Sequence, residues 1–215
     1  DNPYFRSGEN CIIDIQNKSL FLGRKGCIIP DDGSVTSIGK EAFMYSDVTE
    51  VSLPDSITSI EEKAFYECSE LTSVKLSQNL EKIGESAFDS CTELYDINLP
   101  DNLKIIEAGA FYCCSAISVE IVPDSIVSIG SGAYAGCTNL LPDHITEIPP
   151  RAFSGCSSLY EVDIPKNVTS IGDSAFRGCT SLSIIKLPEG ITHIGEEAFA
   201  GCKQLSSVYI PDSVE

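Results

Sequence analysis

The dipeptide Ala-Phe, once Ala-Tyr, begins at Ala42, Ala64, Ala87, Ala110, Ala133, Ala152, Ala175 and Ala198, in steps of 22, 23, 23, 23, 19, 23 and 23 residues. That period decides the architecture before any local structure is read. A unit of about 23 residues holds a short strand and its turns, cannot enclose a core alone, and must bury its apolar face on its neighbours. The unit reads I-x-x-I-G-x-x-A-F-x-x-C-x-x-L-x-x-V-x-L-P, as in the stretch ITSIEEKAFYECSELTSVKL that starts at Ile57. Within it, V-x-L-P has the period of two that marks a strand, and the Pro ends that strand because it has no amide to donate. Val74 and Leu76 are therefore expected to point inward. I-x-x-I reads as a second, shorter extended segment, and A-F-x-x-C as a turn of helix or 3-10 helix on the outer side. The expected fold is an α/β solenoid of mostly short parallel strands, with turns and short helical segments between them. Strands of successive coils lie about 4.8 Å apart, so eight coils make a curved rod on the order of 40 Å long.

The first 34 residues do not fit the unit. Two apolar runs, Cys11 to Ile15 and Leu20 to Leu22, flank the polar QNKS, which predicts a β-hairpin able to cover the open end of the array. The expected organisation is a capping segment over 1–34 and a solenoid of about eight units over 35–215. The sequence stops in mid-repeat at IPDSVE, which suggests truncation at the C-terminus.

One unit departs from the pattern. In CTNLLPDHI, residues 137–145, four residues are missing between the Leu after the Cys and the apolar residue before the Pro, and the loss falls where the strand belongs. Just before it, ISVEIVP from Ile117 puts Glu120 in the inward column, with Val119 and Ile121 outside. A shortened strand there would leave residues 119–122 and 161–164 short of ladder partners, and so a notch that could accept an extended segment by strand addition.

The repeat columns closely resemble the cysteine-containing leucine-rich repeat of the BspA-like bacterial surface proteins, over about residues 35–215. The leading NPYFRSGENCIIDIQNKSLFLGRKGCIIPDDG is similar to a hairpin segment that interrupts such arrays. The resemblance implies a right-handed superhelix in a secreted or cell-surface protein of a host-associated microbe, one that binds proteins or mediates adhesion. It implies no enzymatic activity, and it carries no fixed binding residues over to this chain.

Fourteen basic against 32 acidic residues give a net charge of −18, which repels nucleic-acid backbones and anionic membranes. No apolar run approaches the roughly 18 residues of a membrane span, and the opening DNPYF has no signal-peptide pattern. An extracellular or cell-surface location therefore rests on the resemblance alone.

Of the ten cysteines, Cys68, Cys91, Cys114, Cys137, Cys156, Cys179 and Cys202 share one repeat column. A ladder sends parallel thiols along one line, whereas a metal site needs thiolates that converge, so buried structural thiols are expected. Cys11 and Cys27 flank the hairpin and could be bridged; Cys113 lies outside the column and reads as a free, partly exposed thiol. Acidic residues follow the Pro at Asp31, Asp55, Asp101, Asp124, Asp143, Glu189 and Asp212, interrupted by Gln78 and Lys166. Such a row could collect calcium, but Pro-Asp is ordinary turn chemistry. His144 and His193 occupy different unit positions, and the acid pair Glu161 and Asp163 lies on a sheet open to water, so no catalytic, cofactor or metal site is expected.

If Val74 and Leu76 point inward, the residues beside and between them point out from a concave sheet. The candidates for contact with a protein partner are Asp96, Asn98, Val119, Ile121, Glu161, Asp163, Lys186 and Tyr209. This strip is polar, mildly acidic and thin in aromatic anchors, which suits a weak or multivalent contact. The leading expectation is a monomeric, non-enzymatic binding or adhesion module. The alternative is a spacer within a larger surface protein that has no ligand of its own.

Overall fold

The computed structural model describes residues 2–214 apart from 120–122, 124, 137, 140–144 and 158; for 118, 119, 138 and 139 only the backbone is described. Each I-x-x-I segment contributes a two-residue strand. Five of these, Ser37–Ile38, Ser59–Ile60, Lys82–Ile83, Ile105–Ile106 and Ser128–Ile129, pair in parallel, each Ile opposite the next. Three antiparallel strands, Phe5–Gly8, Cys11–Asp14 and Ser19–Gly23, extend this sheet at its N-terminal side, because Ser19–Gly23 also pairs in parallel with Ser37–Ile38. The hairpin is thus hydrogen-bonded into the sheet itself. Gly23 makes this approach possible, since a Cβ there would sit 2.1 Å from the Phe43 ring.

The V-x-L segments make the other sheet surface, through Glu50–Ser52, Ser73–Lys75 and Asp96–Ile97, and further along through Glu161–Asp163 and Ile184–Lys186. Val74 and Leu76 are buried, as their column requires, while Ser52, Lys75, Asp163 and Lys186 face solvent. In the shortened unit, Thr138–Asn139 pairs in parallel with Ser118–Val119, so a piece of strand is present before the missing stretch.

Between the two sheets the apolar columns become ladders. Phe43, Phe65, Phe88, Phe111, Tyr134, Phe153, Phe176 and Phe199 stack ring on ring, with centroids 4.8 to 6.4 Å apart and planes within 11° of parallel. Offset stacking of this kind adds about 0.5–1.5 kcal/mol per pair beyond the area buried. Beside it runs the cysteine ladder, in which each described thiol donates to the carbonyl oxygen of the aromatic residue one coil earlier. The distances are 2.9 Å for Cys68 to Phe43, 3.1 Å for Cys91 to Phe65 and 2.9 Å for Cys114 to Phe88.

The expected helical segments do not form: the described residues contain no helix, and the α/β reading gives way to a β-solenoid with turns. The backbone bonding explains why. In A-F-x-x-C only alternate amides bond within the coil, such as Ala42 to Gly39, Met44 to Glu41 and Ser46 to Phe43. The intervening amides of Glu41, Phe43 and Tyr45 donate instead to Glu62, Ala64 and Tyr66 of the next coil. A helix needs consecutive internal bonds and a uniform negative φ. Here Glu41 and Tyr45 take φ of 59° and 58°, and each later coil repeats a left-handed pair at the same two positions. Cys113, at φ 56°, is the second of such a pair, where the four following coils place Gly136, Gly155, Gly178 and Gly201.

Candidate protein-binding face and an interrupted sheet

Of the eight candidate residues, Asp96, Asn98, Glu161, Asp163, Lys186 and Tyr209 are exposed. The backbone of Val119 lies in a strand, its side chain is outside the description, and Ile121 is outside the described residues, as are Glu120 and His144. The six form separate groups. Asp96 and Asn98 line a cleft of about 420 Å³ with Ser73, Lys75 and Gln78, where the Ser73 hydroxyl donates to the Asp96 carboxylate at 2.8 Å. Three coils further on, the Lys186 ammonium donates to Glu161 at 2.9 Å and lies 3.8 Å from Asp163, which raises the Lys186 pKa. Register produces this second group, because parallel pairing sets Glu161 opposite Ile184 and Asp163 opposite Lys186. Tyr209 stands apart at 67 % exposure.

These side chains are polar or charged groups exposed on the sheet surface. Protonation chemistry at a site needs enclosure that shifts a carboxylate or an imidazole, and all of them stand in water. The thiols are shifted the other way from a nucleophile: burial pushes Cys68 up to about 12, and Cys91 and Cys179 are also raised. In the Pro-Asp column, Asp55 accepts from the Gln78 amide of the next coil at 3.2 Å, a bond between coils rather than within a turn. Among the described residues no group of three His, Cys, Asp or Glu side chains is placed to hold a metal ion.

A second feature, which changes no repeat spacing, lies on the opposite sheet. Strands Ser128–Ile129 and Glu147–Ile148 do not pair, so the I-x-x-I ladder stops and restarts with Glu147–Ile148, Ser170–Ile171 and His193–Ile194. One of the bonds lost here has a plain cause in a residue type. At the position after the second Ile, the amides of Gly39, Glu61, Gly84, Glu107, Gly130, Gly172 and Gly195 all donate to the preceding coil, Gly130 to Ile106 at 2.7 Å and Gly172 to Ile148 at 2.8 Å. Pro149 holds that position in the remaining coil and has no N–H. The opening is a cleft of about 320 Å³ between Val127, Ser128 and Ile129 on one side and Ile145, Thr146 and Glu147 on the other. The aromatic stack is also widest here, at 6.4 Å between Tyr134 and Phe153. The signal was legible as the Pro-Pro of EIPP.

The model of the BspA-type leucine-rich repeat region matches residues 25–141 and 140–215, with six copies of its repeat. The chain belongs to the BspA-type leucine-rich repeat family. Among solved structures, the leucine-rich repeat protein of T. pallidum is similar over 98 % of this chain and 96 % of its own, at 25 % identity and a TM-score of 0.65. The pneumococcal vaccine antigen PcpA shares the fold over 98 % of this chain and 71 % of its own, at 20 % identity and a TM-score of 0.62. Among curated proteins nothing matches. In this BspA-type array no helix among the described residues is long and apolar enough to cross a membrane.

Proposed function

We propose that this BspA-type array is a non-enzymatic protein-binding or adhesion module of a bacterial surface, and that it reads its partner with the V-x-L face. The observation that carries the reading is the face itself: exposed, mixed-charge side chains held in parallel register on a stack whose interior is closed by aromatic and thiol ladders. Glu161–Asp163 and Ile184–Lys186 pair with each other, which fixes the backbone that carries these side chains before a partner arrives and so lowers the cost of association. Membership in the BspA-type family supports a protein partner, and the hairpin over 1–34 serves as the end cap of the array. The name of PcpA, a vaccine antigen, supports exposure at a cell surface.

The test is a binding screen against immobilised host extracellular proteins with three variants of the chain. Glu161→Lys with Asp163→Lys and Asp96→Lys alone alter the face, while Glu85→Lys with Glu196→Lys makes the same kind of charge change elsewhere. The reading expects at least a tenfold loss for the face variants and none for the control. Equal binding by all of them would remove the V-x-L face from consideration, and no binding by the unaltered chain would favour a spacer.

A further inference from the structure

The cysteines fall into two classes. The ladder thiols Cys68, Cys91, Cys114, Cys156 and Cys179 are fully buried and lie 2.9 to 3.2 Å from backbone carbonyl acceptors. Cross-linking them would forfeit those bonds inside the core. Cys11 and Cys27 are placed differently. Cys11 lies in the central strand of the hairpin, 6 % exposed, and its thiol meets the Ile28 carbonyl at a long 3.8 Å. The segment carrying Cys27 folds back across that strand: Arg24 donates to Asn10 at 3.0 Å, Cys27 to Arg24 at 2.8 Å and Ile28 to Glu9 at 3.3 Å. These bonds bring Cys27 against the strand that carries Cys11, next to Ile28, whose carbonyl the Cys11 thiol approaches, and Cys27 is partly open to solvent.

We propose that Cys11 and Cys27 form an oxidisable dithiol that closes to a disulfide and fastens the loop of residues 24–28 to the hairpin. The co-reactant is a low-molecular-weight disulfide. The Cys27 thiolate attacks one of its sulfurs and expels one thiol; the Cys11 thiolate then attacks the Cys27 sulfur of the mixed disulfide and expels the second. Two protein thiols and one small disulfide become one protein disulfide and two small thiols, so protons and electrons balance. The chain closed by this bond spans residues 11–27, and cross-linking it restricts the unfolded state. Burial and the neighbouring thiol push Cys27 up to about 12, so few thiolates exist at neutral pH and closure is slow. Such a pair is a lasting fastening rather than a rapid sensor.

The experiment is incubation of the native chain with oxidised glutathione, acid quench, alkylation in denaturant and peptide mapping. The expected result is eight alkylated thiols in place of the ten of the reduced chain, with one cross-linked peptide joining residues 11 and 27. The rate should rise about tenfold per pH unit between pH 7 and 9. Cys11→Ser should stop at a glutathione adduct on Cys27, which keeps the test valid if closure is fast. Ten alkylated thiols after oxidation, a bond between ladder cysteines, or a lasting glutathione adduct on Cys11 or Cys27 of the unaltered chain would each overturn the proposal, whereas an adduct on the partly exposed Cys113 is counted separately.

Discussion

Replacing Phe153 by Ala should divide the unfolding of this solenoid into two steps, whereas the same change at Phe88 should not. Both rings are at most 3 % exposed and stack on two neighbours, Phe88 at 4.9 and 5.3 Å, Phe153 at 6.4 and 5.3 Å. Truncating a buried Phe costs about 3–5 kcal/mol. The difference lies in what remains at each joint. Around Phe88 the flanking I-x-x-I strands pair on both sides, with ladder bonds such as Gly84 to Ile60 at 2.7 Å and Glu107 to Ile83 at 2.9 Å. Between Tyr134 and Phe153 the equivalent bonds from residues 146 and 149 are missing, which at about 1 kcal/mol each leaves this joint about 2 kcal/mol weaker before any substitution. In a stack of nearest neighbours, a joint weakened by a further 3–5 kcal/mol no longer couples the two halves. A urea titration followed by far-ultraviolet circular dichroism, with hydrogen exchange mapped by mass spectrometry, should show residues 145–214 and residues 2–136 unfolding separately in Phe153→Ala. Phe88→Ala should keep a single transition at lower urea. One transition in Phe153→Ala with an unchanged slope, or a split in Phe88→Ala first, would refute the account of the joint.

The buried thiols set an alkaline limit. Cys68 is raised from 9.0 to about 12, so its contribution is intact below pH 9 and is lost as pH rises towards 12, by about 1.4 kcal/mol per thiol at pH 10, and a denaturation series from pH 7 to 10.5 reads it. Cys68→Val should flatten that slope. Pro149→Gly restores the missing donor; its amide should exchange as slowly as that of Gly172, while global stability changes by no more than about 1 kcal/mol because the new bond offsets the lost rigidity of proline. Gly23→Ala should cost several kcal/mol in thermal or chemical denaturation, because its Cβ meets the Phe43 ring at 2.1 Å in a packed core.

The stacking direction, the inward columns and the cysteine ladder were legible because each depends on a side chain that must recur to be buried, as Phe65, Cys68 and Val74 do. The outer turns were not. A-F-x-x-C looks helical to any argument from internal bonds, and half its amides bond to residues in the next coil. The left-handed positions are occupied by Glu41, Tyr45, Lys63 and Glu67 in the early coils, where no glycine marks them. The shortened V-x-L strand is conspicuous in the sequence because a deletion breaks the spacing. The loss of one amide at Pro149 changes no spacing, yet it removes one of the two bonds missing from the other sheet. For the candidate face, register could place Asp163 beside Lys186, but parallel pairing had to exist before the ion pair did.

The aromatic stack also equips the protein with an optical marker. The chain has no tryptophan, and of its eight tyrosines only Tyr134 is fully buried; Tyr4, Tyr45, Tyr95, Tyr112, Tyr160 and Tyr209 are 46 to 67 % exposed and Tyr66 is half-buried. A phenol held between Phe111 and Phe153 is expected to give the strongest tyrosine contribution to the near-ultraviolet dichroism, since rings that turn freely average their signal away. That band therefore reports on a single known place, the seam beside Pro149, without any label being attached.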